Sequence, residues 1–157
     1  MQRLLMLSIA LLAFSAYGQE KKALDSIDKV ILSTIINPAE TAAGSGEPDW
    51  TAIQVKVRAS YTDLQTDRAI TKAKIYYYWN TDWPKFSTAL IHYTEAYESK
   101  DELELMNKNA TMVLEHSEAR TDWQVALGWI QHAVDKAPDN GNYKATRDGL
   151  KAKLAGQ

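Results

Sequence analysis

Residues 81–97 read TDWPKFSTALIHYTEAY, and residues 121–137 read TDWQVALGWIQHAVDKA. Both open on the same triplet, Thr81-Asp82-Trp83 and Thr121-Asp122-Trp123, forty residues apart. Apolar residues then recur at equal offsets: Trp83, Phe86, Leu90, Tyr93 and Tyr97 in the first, Trp123, Ala126, Ile130, Ala133 and Ala137 in the second. His92 and His132 also coincide. Steps of three and four keep one stripe of a helix facing inward. Two such helices at this period, with another helical pattern between them, predict stacked helical hairpins.

Working outward, Leu103, Met106, Ala110 and Val113 form the intervening stripe, ending near Ser117. Ser99 to Glu102 has capping-box spacing, and Thr121 to Gln124 repeats it. Thr81 or Asp82 caps the first tryptophan helix, with Pro84 in its opening turn. Ala137-Pro138 through Gly141 closes the second. A last helix over 142–155 turns Tyr143, Leu150 and Leu154 inward and its lysines outward, as a terminal cap does. Upstream, 64–79 reads as a helix with Ala69, Ala73 and Tyr76 on one face. Tyr76-Tyr77-Tyr78-Trp79 covers every direction around its axis, so at least one ring is expected to reach solvent or a groove. Residues 49–61 fit a helix through Trp50, Ile53, Val57 and Tyr61, and also a strand through Ile53, Val55 and Val57. Residues 22–36 read as a helix with Leu24, Ile27, Ile31 and Ile35 inward and Asp25 and Asp28 off the stripe. Asn37-Pro38 is expected to end it, and 38–48 to be a flexible loop.

The first eighteen residues read as a secretory signal peptide. Arg3 precedes an apolar run from Leu4 to Phe14, and Ser15-Ala16-Tyr17-Gly18 supplies small residues before a cut after Gly18. The run is too short to cross a bilayer of about 30 Å as a helix. The expected division is therefore 1–18 signal peptide, 19–48 helix and loop, and 49–157 helical-repeat domain. The 157 residues are 45% hydrophobic and 24% charged, enough apolar content for a core. Net charge is −2, and −3 once Arg3 is removed with the leader. Without clustered basic residues, nucleic acid is not an expected partner. With no cysteine, thiol catalysis, thiolate metal sites and disulfides are excluded.

Ala126, Ile130, Ala133 and Pro138 carry the small, large, small, proline spacing of the second helix of a tetratricopeptide repeat. Residues 102–138 resemble one such repeat, and 64–98 a more divergent one with Phe86 where a small residue is expected. The stretch Lys74–Gly156 resembles the helical repeat region of exported thioredoxin-like proteins of Bacteroidetes-type bacteria. The matching residues are Asp82-Trp83-x-Lys85-Phe86, Tyr93 to Tyr97, Met106-Asn107 to Ala110, Ala126 to Val134, and Lys153-Leu154-Ala155-Gly156. In that family the redox chemistry sits in a separate domain with a Cys-x-x-Cys motif. This chain has no cysteine, so the resemblance implies a fold and an exported setting, not the redox activity.

No Gly-x-Ser-x-Gly, phosphate-binding glycine loop, His-Glu-x-x-His or dinucleotide fingerprint occurs. His92 and His132 occupy matching repeat positions, and adjacent repeats could bring them within about 10 Å, where a shared metal is conceivable; no carboxylate recurs beside them in a metal-ligand pattern, so no metal and no cofactor is expected. Glu115-His116 reads as a solvated pair at a helix end. Asn109-Ala110-Thr111 matches a glycosylation sequon but falls mid-helix. The better lead is aromatic: five Trp and eight Tyr against two Phe. Rings with a polar tip suit half-wet surfaces. Such rings either fill repeat interfaces or line a groove, and the residues assigned to a groove are Tyr77, Tyr78, Trp79, Tyr97 and Trp129. The expectation is an all-α, right-handed stack of antiparallel helical hairpins with about seven helices. It would act as an exported, non-enzymatic module binding a protein or peptide segment in the cell envelope. The alternative is a small-molecule or saccharide binder with an aromatic-lined pocket.

Overall fold

The computed structural model describes residues 19–156, so the signal peptide expected over 1–18 lies outside the described residues. The described chain is all-α, with seven helices and no strand. We label them α1 (19–43), α2 (Trp50–Arg58), α3 (Asp63–Tyr78), α4 (Trp83–Tyr97), α5 (Leu103–His116), α6 (Arg120–Lys136) and α7 (Gly141–Ala155). The chain divides into two compact units after Ile70.

In the first unit, α1 corrects the expectation at Pro38. The helix does not stop there: a π turn, Leu32–Ile36, precedes the proline, and α-helix resumes as Asn37–Ala43. Asn37 N–H donates to Leu32 O, five residues back. The wider turn carries away the carbonyl that a proline ring would otherwise strike. Ser33 and Thr34 hydroxyls donate to Val30 O at 3.2 and 2.7 Å, occupying an acceptor beside the turn. The inward stripe changes phase, so Ile31 and Ile36 are fully buried and Ile35 only partly. The expected loop therefore begins only at Gly44, whose φ of 65° suits a residue without Cβ.

The helix reading of 50–58 prevails over the strand reading. Ile53 and Val57 are buried while Val55 is 67% exposed, a period of four rather than two. Asp49 caps α2, accepting from Ala52 N–H at 2.9 Å, and α2 packs on the π turn. At the start of α3, Thr62 and Gln65 form a reciprocal capping box: Thr62 N–H donates to Gln65 Oε1 and Gln65 N–H to Thr62 Oγ1. One turn on, Arg68 is buried against α1. Its Nη2 donates to Asp25 Oδ1 at 2.6 Å. Its Nη1 stands 2.7 Å from Asp28 Oδ2, a coulombic contact rather than an aligned hydrogen bond. Asp28, expected off the inward stripe, is thus buried as the partner of a buried cation.

In the second unit, Asn80 turns the chain at φ 63°, a conformation asparagine tolerates. Asp82 caps α4 by accepting from Lys85 N–H at 3.0 Å, with Pro84 in the first turn. Successive helices α4 to α7 pack pairwise, and α4 also meets α6, and α5 meets α7. Phe86, Leu90 and Tyr93 from α4 are buried, as are Met106, Ala110 and Val113 from α5 and Trp123, Ala126, Ile130 and Ala133 from α6. The two repeated stripes therefore do face inward. Tyr76 does not share the inward face of Ala73, being 68% exposed.

The triplets themselves are not equivalent. α6 starts at Arg120, so Asp122 lies inside its first turn and accepts from Ser117 Oγ at 2.7 Å instead of capping. Ser117 Oγ in turn accepts from Ala119 N–H at 3.1 Å. Trp123 is buried, with its indole N–H donated to Ser117 O at 3.0 Å, whereas Trp83 is half-buried. The Ser99–Glu102 box also fails to form: α5 begins at Leu103, Glu102 makes no side-chain cap, and Ser99 Oγ accepts from Asp101 N–H. Helix α7 is more firmly held than its sequence suggests. Tyr143 O–H donates to Glu104 at 2.7 Å, Thr146 meets Thr111 at 3.2 Å, and Arg120 donates to Leu154 O at 2.8 Å. Gly149 lies so near Leu114 that a Cβ there would come within 2.8 Å of its Cδ2, so a side chain at 149 would require the Leu114 methyl to move.

Candidate functional site: an aromatic corner

Because α5 follows α4 through a short turn, the last residue of α5 returns to the first residues of α4. This brings His116 onto Trp83, stacked at 3.7 Å between centroids with 6° between planes. Trp79, just past the end of α3, sets its edge against Trp83, Phe86 and His116 at 5.4, 5.1 and 5.9 Å. Edge-to-face and offset arrangements of this kind are the favourable ones for rings. Phe86 is buried and anchors the group, Trp83 and His116 are half-buried, and Trp79 is 38% exposed. Glu115 Oε2 lies 3.8 Å from His116 Nε2. Asp82 and Lys85 form an exposed pair at 3.7 Å close by in sequence, and the Lys85 ammonium lies 5.2 Å from the Tyr78 ring centre.

The five residues assigned to a groove are not brought together. Trp79 belongs to the corner. Tyr78 is buried and meets Tyr77 edge-on at 5.3 Å. Tyr97 closes the far end of α4, fourteen helical rises or about 21 Å from Trp83, where it packs on Tyr93 at 5.3 Å. Trp129 is only 2% exposed and donates its indole N–H to Glu95. Its polar tip is thus satisfied inside the helix packing. His116 is not among the groove residues, yet it supplies a parallel ring stack with Trp83 in the corner. The signal available for it was topological: it ends the helix whose hairpin partner opens on Trp83.

His92 and His132 do not form a pair. His92 is exposed near the Tyr97 ring, and His132 Nε2 lies 3.2 Å from Asp101 Oδ1. Among the described residues, no three His, Cys, Asp or Glu side chains are grouped to hold a metal, and no helix is long and apolar enough to cross a membrane. The sequon asparagine, Asn109, is buried and donates to Thr94 Oγ1 at 2.9 Å, out of reach of a glycosylating enzyme in the folded chain. The Tyr143 hydroxyl is raised above its ordinary value by its hydrogen bond to Glu104, then by burial and by that carboxylate's charge. Glu40 is raised by desolvation. Neither lies in the corner. Comparison with protein-family models, with curated proteins and with solved structures finds no match.

Proposed function

We propose that this chain is an exported, non-enzymatic helical scaffold that binds a protein or peptide segment at the Trp79 corner. The observation that carries the reading is Trp79 itself: a large ring held on three sides by other rings and still open to solvent. A pre-ordered, amphipathic aromatic loses little conformational freedom on contact, and such residues dominate protein recognition. Tyr76, three residues earlier on the same chain, is also exposed. Export is supported by the Arg3-led apolar leader pattern.

The test is selection from a displayed peptide library against the wild-type chain and against Trp79→Ala. Selected peptides should bind the wild type and lose at least about tenfold on the variant, the scale of one central aromatic anchor. Equal binding to both, or no selected peptide, overturns the reading. Retention of oligosaccharides on a glycan array, lost on Trp79→Ala, would install the saccharide alternative in its place.

A further inference from the structure

We infer that Asn140 is a self-modification site, deamidating through its own backbone when the first turn of α7 opens. Of the asparagines in the sequence, Asn140 alone precedes a glycine. The reaction needs only water. The Gly141 backbone nitrogen attacks Asn140 Cγ, the Cγ–Nδ2 bond breaks, and ammonia leaves with the proton from that nitrogen. The resulting five-membered succinimide is opened by water at either carbonyl. One product has aspartate at position 140. The other is isoaspartate, in which the main chain passes through the former side-chain carbon. Gly141 brings no Cβ to hinder the attack, and the position is open: a Cβ there would meet nothing within 4 Å.

The structure holds this reaction in check. Asn140 caps α7, its Oδ1 accepting from Asn142 N–H at 3.0 Å and Tyr143 N–H at 3.3 Å. These two donors draw charge toward the amide oxygen, which favours attack at Cγ. They also fix the residue at φ −74° and ψ 108°, where the Gly141 nitrogen is turned to the far side of the carboxamide. Ring closure requires a large rotation about the Cα–C bond, and that rotation breaks the cap. Reaction therefore follows local opening of a helix terminus. The two products then diverge. Aspartate accepts the same two N–H groups and adds a charge favoured at a helix start. Isoaspartate lengthens the main chain by one methylene at the cap and releases a helix whose Tyr143 and Leu150 are buried.

The test is incubation of the full chain at mildly alkaline pH, native and in urea, followed by mass spectrometry of the tryptic peptide 137–144 and enzymatic methylation of isoaspartate. The mass gain should localise to position 140 and proceed at least about tenfold faster in urea, as an opening-limited reaction does. Asn140→Ser, which retains a cap, should abolish the gain, and Gly141→Ala should slow it. Chains with Asn140→Asp should melt like wild type, while the isoaspartate fraction melts lower. Equal rates in the native and urea-unfolded chain, or an earlier gain at Asn142 or another asparagine, overturn the inference.

Discussion

The buried arginine of the first unit gives the sharpest energetic prediction. Arg68 and Asp28 are 2% and 1% exposed, while Asp25, which also meets the guanidinium, is 41% exposed. Asp28→Ala leaves a buried cation leaning on a carboxylate that water already screens. Breaking a buried pair from one side costs about 3–5 kcal/mol, since the remaining charge keeps its desolvation penalty. That is a large part of the roughly 5–15 kcal/mol that holds a domain together. Asp25→Ala removes a partly hydrated partner and should cost about 1 kcal/mol or less. Replacing both buried partners, Asp28→Leu with Arg68→Met, removes the penalty along with the attraction and should fall within about 1 kcal/mol of wild type. Urea unfolding followed by circular dichroism measures the three values, and hydrogen exchange should place the lost protection in residues 19–70. If Asp28→Ala costs under about 1 kcal/mol, or no more than Asp25→Ala, the buried-pair account is refuted.

Trp129→Ala should destabilise by about 3–5 kcal/mol as a core truncation, while Trp79→Ala should cost only roughly 1–2 kcal/mol because part of its surface is already wet; equal losses in urea melts would contradict the division between core and corner. A spectrophotometric tyrosine titration should show a component above the ordinary tyrosine value, and Tyr143→Phe should remove it. Its folded value is raised above the ordinary 10.0, so its contribution to stability is complete below the unfolded value and is lost as pH rises through the folded one. Glu40 is raised above 4.5 by desolvation, so by the same sign its ionisation costs stability once pH exceeds the folded value. Glu40→Gln should therefore raise the melting temperature at neutral pH, and the gain should shrink as pH falls toward 4.5.

Helices α4 and α6 were legible because Phe86, Leu90, Ile130 and Ala133 repeat at helical spacing, and spacing is a local property. Capping was legible at Asp82 and misleading at Ser99 and Thr121, because several hydroxyls and carboxylates near a helix start compete for the same few N–H groups. At the second triplet Ser117 engages Asp122, and α6 begins three residues earlier than the repeat implies. Pro38 misled because its effect depends on the turn before it, whose width no hydrophobic pattern encodes. Of the candidate site, Trp79 could be read from an aromatic run too broad to bury on one face. Trp129 could not be placed, since its distance from the inward stripe is offset by Glu95, a partner 34 residues away. His116 joins the corner through a hairpin closure, which is likewise non-local.

The wide turn of α1 also constrains the lengths this chain can take. In an α-helix, residues five apart point about 140° away from each other, yet Ile31 and Ile36 are both fully buried. The segment carries one residue more than a regular helix would need to keep its phase. Deleting a single residue from 32–36 would restore ordinary winding and set a carbonyl against the Pro38 ring, so the deletion should be tolerated only where the proline is also replaced. Replacing Pro38 alone would leave the surplus residue with no defect to absorb. The insertion and the proline are therefore expected to be gained or lost as a pair among chains that keep this helix.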